Sequence, residues 1–216
     1  MRPAAVIWDM DGVLVDSGQL HFDAWQWLAE SRGGSLTREQ FLPTFGMRNA
    51  DASRRLFGDV AEPDLGRMSD AKEEEFRRMA RGALTALPGA EALVRALHAD
   101  GRLQAVASSS PRENIRVILE ALGLDRCFQA TASGEDVSNG KPNPEIFTLA
   151  AHRLAAAPLD CIVVEDAVVG VQAGVRAGMT VFAVTNTRRR DELSQADRVV
   201  DSLAELTPAD FVLPKR

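Results

Sequence analysis

The sequence predicts an α/β fold, a parallel sheet flanked by helices, with a helical insert after the first strand. Three observations carry that expectation: short apolar runs alternate with amphipathic stretches, one long interval holds no strand-like run, and turn signals mark the joins. The first strand is expected at Ala4–Trp8. From about Asp16 to Ala86 only helical periodicity is found, such as His21, Trp25 and Leu28, then Phe41 with Phe45. Trp25 suits the core of such a helix and Trp27 its outer surface. Leu87-Pro88-Gly89-Ala90 is a turn that ends the insert, and a helix over Glu91–Ala99 follows. Gly101 and Arg102 lead into a second strand, Leu103–Ser108, and then a helix over Pro111–Leu122. A third strand is expected at Phe128–Ala132. Asn143-Pro144-Glu145 opens the helix Pro144–Ala155, with a capping side chain, a proline in the first turn and an acid near the positive helix end. Strand Cys161–Glu165, helix Val168–Ala177, strand Thr180–Val184 and a weaker strand Arg198–Asp201 complete the pattern. The division that results is a core of residues 1–15 and 87–216 and an inserted helical unit of residues 16–86.

Composition narrows the class. A chain of 216 residues, 45% hydrophobic and 26% charged, can bury a large core and is not the composition of a disordered protein. Its net charge of −6 argues against a nucleic-acid surface, which needs a basic stripe to displace counterions. Cys127 and Cys161 lie far apart beside apolar stretches and read as two reduced, buried thiols. The apolar run before Asp9 is too short for a signal segment or a membrane span. The expectation is a cytoplasmic monomer with no membrane and no nucleic-acid partner.

Ligands of open parallel sheets bind beyond the carboxyl ends of the strands, so polar residues there carry the most weight. On these assignments the ends hold Asp9 and Asp11, then Ser108, then Glu165 with Asp166. An isolated Asp at such a place most often caps a turn. Four carboxylates drawn together repel by roughly several kcal/mol per close pair, so stability alone does not select the set. A divalent cation and a lysine would neutralise it, and an oxygen-rich site of this kind suits magnesium.

The run Asp9-Met10-Asp11-Gly12-Val13-Leu14-Val15-Asp16-Ser17 resembles the signature of the haloacid dehalogenase superfamily of phosphatases and phosphomutases. Three elements follow in that family's order: Ala107-Ser108-Ser109-Ser110, Gly140-Lys141-Pro142-Asn143-Pro144, and Val164-Glu165-Asp166 leading to Gly170 and Gly174. The resemblance implies a Rossmann-like core and a set of roles. Asp9 would attack phosphorus to form an aspartyl phosphate, and Asp11 would protonate the leaving oxygen and later activate water. Ser108 would bond a phosphoryl oxygen, with Ser109 and Ser110 as neighbours able to exchange roles with it, and Lys141 would hold the phosphoryl group against Asp9. Asp9, Asp166 and the backbone carbonyl of Asp11 would bind magnesium, with Glu165 as ligand or near-ligand.

The insert resembles the helical cap of the β-phosphoglucomutase-like branch, on Leu20-His21-Phe22-Asp23-Ala24-Trp25, on Gly46-Met47-Arg48-Asn49 and on Lys72. By resemblance His21 would bond Asp11 or the substrate, Arg48 would contact a distal phosphate or sugar hydroxyl, and Lys72 would face the substrate. Read by composition alone, Lys72-Glu73-Glu74-Glu75 is a solvated face. Mutases of the branch place a phosphate-gripping lysine after the second-strand serines, where this chain has Pro111 and Arg112. Arg112 would substitute with a different reach. The serine-proline form looks more like the branch's sugar-phosphate phosphatases. The expected function is a magnesium-dependent phosphatase of small phosphate esters, sugar phosphates foremost. A hexose phosphomutase and a non-catalytic binding protein on the same fold are the alternatives.

Overall fold

A computed structural model describes residues 2–214. A short antiparallel ladder joins the two ends of the described chain, β1 (Arg2–Pro3) with β8 (Val212–Leu213), a pairing the apolar pattern does not announce. The centre is a six-stranded parallel sheet of β2 (Ala5–Trp8), β3 (Gln104–Ala107), β4 (Ala130–Ala132), β5 (Cys161–Glu165), β6 (Thr180–Val184) and β7 (Arg198–Val200). The spatial order is β4-β3-β2-β5-β6-β7. The chain therefore winds outward from β2 in one direction and then in the other, and the reversal leaves a crevice at the carboxyl end of β2.

Alternation along each strand feeds two cores. Val6, Trp8, Val106 and Val164 face α5 (Ala90–Ala99) and α6 (Arg112–Ala121), packing on Leu93, Leu97, Ile115 and Ile118. Ile7, Ala105 and Val163 face α7 (Glu145–Arg153) and α8 (Val168–Arg176), packing on Phe147, Ala150 and Val171. Each large side chain so buried contributes about 1.5–3 kcal/mol. The third strand starts later than Phe128 because Asp125–Cys127 forms a 3-10 turn. Cys127 and Cys161 are both free and buried.

Between β2 and α5 the chain is helical, with α1 (Gly18–Ser31), α2 (Arg38–Phe41), α3 (Asn49–Phe57) and α4 (Glu62–Ala80). These helices hold a core of their own around Trp25, Leu28, Phe41, Phe45 and Met68, while Trp27 is 39% exposed. The segment leaves and returns at one place. Val15 and Ala86 form an antiparallel bridge, and Leu87 N donates to Leu14 O at 3.1 Å. Among the described residues, no helix is long and apolar enough to cross a membrane.

Candidate active site

Asp9 follows β2 directly, and its N–H continues the ladder by donating to Val164 O at 2.9 Å. The chain then turns away at Gly12, whose φ of 89° is one that side chains disfavour. A Cβ there would also stand 2.2 Å from Oδ2 of Asp166, so glycine is needed both for the turn and for the close approach.

Beyond the strand ends, oxygens of Asp9, Glu165 and Asp166 lie within 4.8 Å of one another, and all three residues are buried. Lys141 Nζ donates to Asp9 Oδ1 at 2.5 Å and to Glu165 Oε1 at 2.6 Å. The second oxygen of Glu165 accepts from the N–H groups of Asp166 and Ala167, each at 2.7 Å, where α8 begins. Gly170 makes room for this fold-back, since a Cβ there would meet Glu165 Oε1 at 1.7 Å. Thr187 Oγ1 donates to Asp166 Oδ2. Burial pushes the Asp9 carboxyl up to about 8, against the pull of Lys141 and with the help of Glu165 and Asp11. Burial, Glu165 and Asp9 raise Asp166 well above the carboxylate range. Lys141 is raised, because Asp9 and Glu165 outweigh the burial that would lower it. Ionised together, three buried carboxylates against one lysine would carry an excess of negative charge, and an all-oxygen set of this geometry suits a hard divalent cation.

Asp11 meets different surroundings. Its burial, which would raise its pKa, is outweighed by His21 and by hydrogen bonds from Ser17 and Ser110, so the carboxyl is held below its usual range. Ser17 Oγ donates at 2.5 Å, Ser110 Oγ at 2.9 Å and Ser108 Oγ at 3.4 Å, and His21 Nε2 stands 3.2 Å away. Behind the imidazole, Lys72 Nζ lies 2.8 Å from His21 Nδ1 and 2.8 Å from Glu73 Oε1. Glu73 also accepts from Asn49 at 2.8 Å and from Asn114 on α6 at 2.5 Å. His21 stacks on Phe76 at 4.1 Å between ring centroids.

Asp9, Asp11, His21, Lys72, Ser108 and Ser109 all border one cavity of about 40 Å³ between the sheet and the helical segment. The reading of Lys72–Glu75 as a solvated face is corrected: Lys72 is 1% and Glu73 3% exposed, because α4 turns that side inward with Leu65, Met68 and Phe76. Arg48, expected to contact the distal part of the substrate, does not line that cavity. It pairs with Asp51 at 3.0 Å, donates to Val137 O and Ser138 O, and lines a second, larger hollow of about 710 Å³. Arg112 is exposed, pairs with Asp136 at 2.6 Å and lines neither space. Of Arg188-Arg189-Arg190, only Arg188 spans to the helical segment, donating to Leu42 O at 3.1 Å. Sequence reasoning missed Ser17, Glu73, Asn114 and Thr187. Ser17 closes the first motif and Thr187 follows the end of β6, so both had a positional signal. Glu73 and Asn114 had none.

A family model for haloacid dehalogenase-like hydrolases matches residues 3–178. The chain belongs to that family. Like its relatives in the haloacid dehalogenase-like family, it is an enzyme of the phosphohydrolase and phosphomutase kind. It is 33% identical over 208 residues to hexitol phosphatase A of Escherichia coli, covering 96% of this chain and 94% of that one. It is 32% identical over 216 residues, 98% of its own length, to the bifunctional riboflavin kinase/FMN phosphatase of Arabidopsis thaliana, of which it spans 56%. Among solved structures, β-phosphoglucomutase from Clostridium difficile superposes with a TM-score of 0.86 at 28% identity, covering 96% of this chain and 94% of that one. CbbY from Rhodobacter sphaeroides in complex with xylulose 1,5-bisphosphate superposes with a TM-score of 0.89 at 27% identity, covering 98% and 100%. The haloacid dehalogenase-like core is thus of the β-phosphoglucomutase-like branch, with the parallel α/β sheet that branch shares.

Proposed function

We propose that the protein is a magnesium-dependent phosphatase of small phosphorylated metabolites, sugar phosphates foremost, acting through an aspartyl phosphate on Asp9. The observation that carries this reading is the contrast between two carboxylates two residues apart on one cavity. Asp9 sits among carboxylates against Lys141, and Asp11 is held by hydroxyls and an imidazole. A divalent cation against Asp9 would bring its raised carboxyl back down and keep it the anionic nucleophile, whereas Asp11, held by hydroxyls and an imidazole, would be left to exchange protons.

Asp9 Oδ attacks phosphorus as the bond to the leaving oxygen breaks, and Asp11 gives that oxygen its proton. Asp11 is held ionised by its own neighbours, but a phosphate dianion placed beside it favours the protonated form, so the acid is generated as substrate binds. Once the alcohol has left, Asp11 takes a proton from the water that attacks the aspartyl phosphate. Lys141 neutralises charge between Asp9 and the phosphoryl oxygens, and Ser108 bonds one of those oxygens. Asp9, Asp166, the backbone carbonyl of Asp11 and, directly or one step removed, Glu165 would hold the magnesium. When bound, it offsets the repulsion between phosphate and nucleophile. Arg112 has no part in this reading.

Residues 16–86 act as a cap. A cavity of about 40 Å³ admits little more than water, whereas small-ligand sites run to roughly 300–1,000 Å³, so the cap must swing open for substrate. Glucose 6-phosphate and magnesium, followed by phosphorus NMR, test the reading. Inorganic phosphate and free glucose should form in equal amounts without a bisphosphate activator. Rapid interconversion of the 1- and 6-phosphates with little free phosphate would establish the mutase instead.

A further inference from the structure

The part of a sugar phosphate that does not react can be neutral or can carry a second phosphate, and the cations around the cavity bear on which. Among the described residues, Lys72 lines the cavity, and Arg48, Arg54 and Arg77 line the adjoining larger hollow, which shares Asn49, Glu73 and Ser109 with it. Each is already taken. Lys72 is shared between His21 and Glu73, with its ammonium 5.3 Å and 5.4 Å from the ring centroids of Trp25 and Phe76. Arg48 is held by Asp51 and two backbone carbonyls. Arg54 pairs with Glu62 at 2.5 Å, and Arg77 donates to Asn114 at 2.9 Å while its charge faces Glu113 on the same hollow. Lys141 stands at Asp9, where the reacting phosphoryl group goes.

Glu73 is the centre of this arrangement. Its Oε1 accepts from Lys72 and Asn49 and its Oε2 from Asn114, so the carboxylate is anchored from three elements and cannot swing off the lysine. These bonds and the Lys72 charge hold it below the usual carboxylate range despite its burial. The Lys72–Glu73 pair is neutral as a unit. A second phosphate entering the cavity would either face an ionised carboxylate or have to separate a buried pair and leave one charge uncompensated. Sugar hydroxyls both donate and accept, and so can bond to the intact pair, while the Trp25 and Phe45 rings offer apolar walls.

We propose that the site takes phosphomonoesters whose remainder is uncharged and hydroxyl-rich and rejects bisphosphates, with Glu73 as the specificity-determining residue. The chemistry at Asp9 rests on the phosphatase reading; the selectivity rests on Glu73 and its partners. On this point the chain parts from the CbbY neighbour, which was solved with a sugar bisphosphate.

Binding tests it apart from turnover. In the Asp9→Asn background, calorimetry with glucose 6-phosphate and glucose 1,6-bisphosphate should show the monophosphate bound at least about tenfold more tightly, and adding Glu73→Gln should narrow that ratio by about tenfold. Equal or tighter binding of the bisphosphate by the Asp9→Asn protein, no binding of either, or a ratio unmoved by Glu73→Gln overturns the proposal. Should Glu73→Gln fail to fold, Asp51→Asn releases Arg48 at a partly exposed position and should favour the bisphosphate by a few-fold. A ratio unmoved there is equally fatal. A wild-type enzyme that releases phosphate from neither sugar defeats the phosphatase reading and leaves the binding ratio standing, so the two failures are separable.

Discussion

Lys72 Nζ stands 2.8 Å from Nδ1 of His21, and that contact fixes which ring nitrogen faces Asp11. An ammonium only donates, so Nδ1 accepts and Nε2 carries the proton directed at Asp11 Oδ1. A lysine that never touches Asp11 thereby sets the donor that keeps Asp11 ionised.

Replacing His21 by Ala removes that donor. The Asp11 carboxyl should then titrate higher, and since it must be ionised to activate water against the aspartyl phosphate, the acid limb of the kcat profile should move to higher pH. Activity at the optimum should fall by about 10–100-fold. A pH profile with an unmoved acid limb would separate His21 from Asp11.

Asp9→Asn keeps the size of the side chain and removes the attacking oxygen's charge. Turnover should fall by at least about a thousandfold. Thermal unfolding should show the fold retained, because burial already disfavours the charged form of Asp9 and Lys141 keeps its partner in Glu165.

Metal removal should act on activity and on stability. Turnover should vanish in excess chelator, and calcium should inhibit, since its looser coordination misplaces the nucleophile. In the metal-free protein the Asp9 pKa is raised, so its contribution favours the fold at low pH and is lost as pH rises through about 8. Melting curves in chelator should therefore drop across that window, and the drop should shrink in Asp9→Asn.

Asp136 makes the opposite prediction away from the reaction centre. Arg153 first, then the Ser133 backbone and hydroxyl and Arg112, hold its pKa well below the ordinary carboxylate value of 3.8. Its stabilisation is present above that value and lost as pH falls below it. Asp136→Asn should cost about 1–3 kcal/mol at neutral pH and lose less on acidification than the wild type. Urea unfolding at neutral pH and at about pH 3 measures both.

Much of this architecture can be read from residue order. Cys161–Glu165 and Thr180–Val184 are strands with the bounds their apolar runs suggest, because a buried parallel strand has nowhere to hide polar side chains. Asp9, Ser108 and Asp166 converge because each directly follows such a strand. Glu73 was not legible. Its burial depends on α4 lying across α1 and against Asn114 of α6, a tertiary fact that a run of charges along one helix cannot encode. Gln104 is a second case, a polar strand residue buried because Trp8, Val94 and Cys127 satisfy its amide.

The bridge between Val15 and Ala86 has a consequence for how such an enzyme diversifies. With its exit and return pinned side by side, the helical segment hangs from the sheet as from a double stem, so insertions, deletions or wholesale replacement within it leave the sheet's register alone. Preference can drift while reactivity stays put. A lineage built on this plan inherits its chemistry as a fixed asset and renegotiates only what it admits.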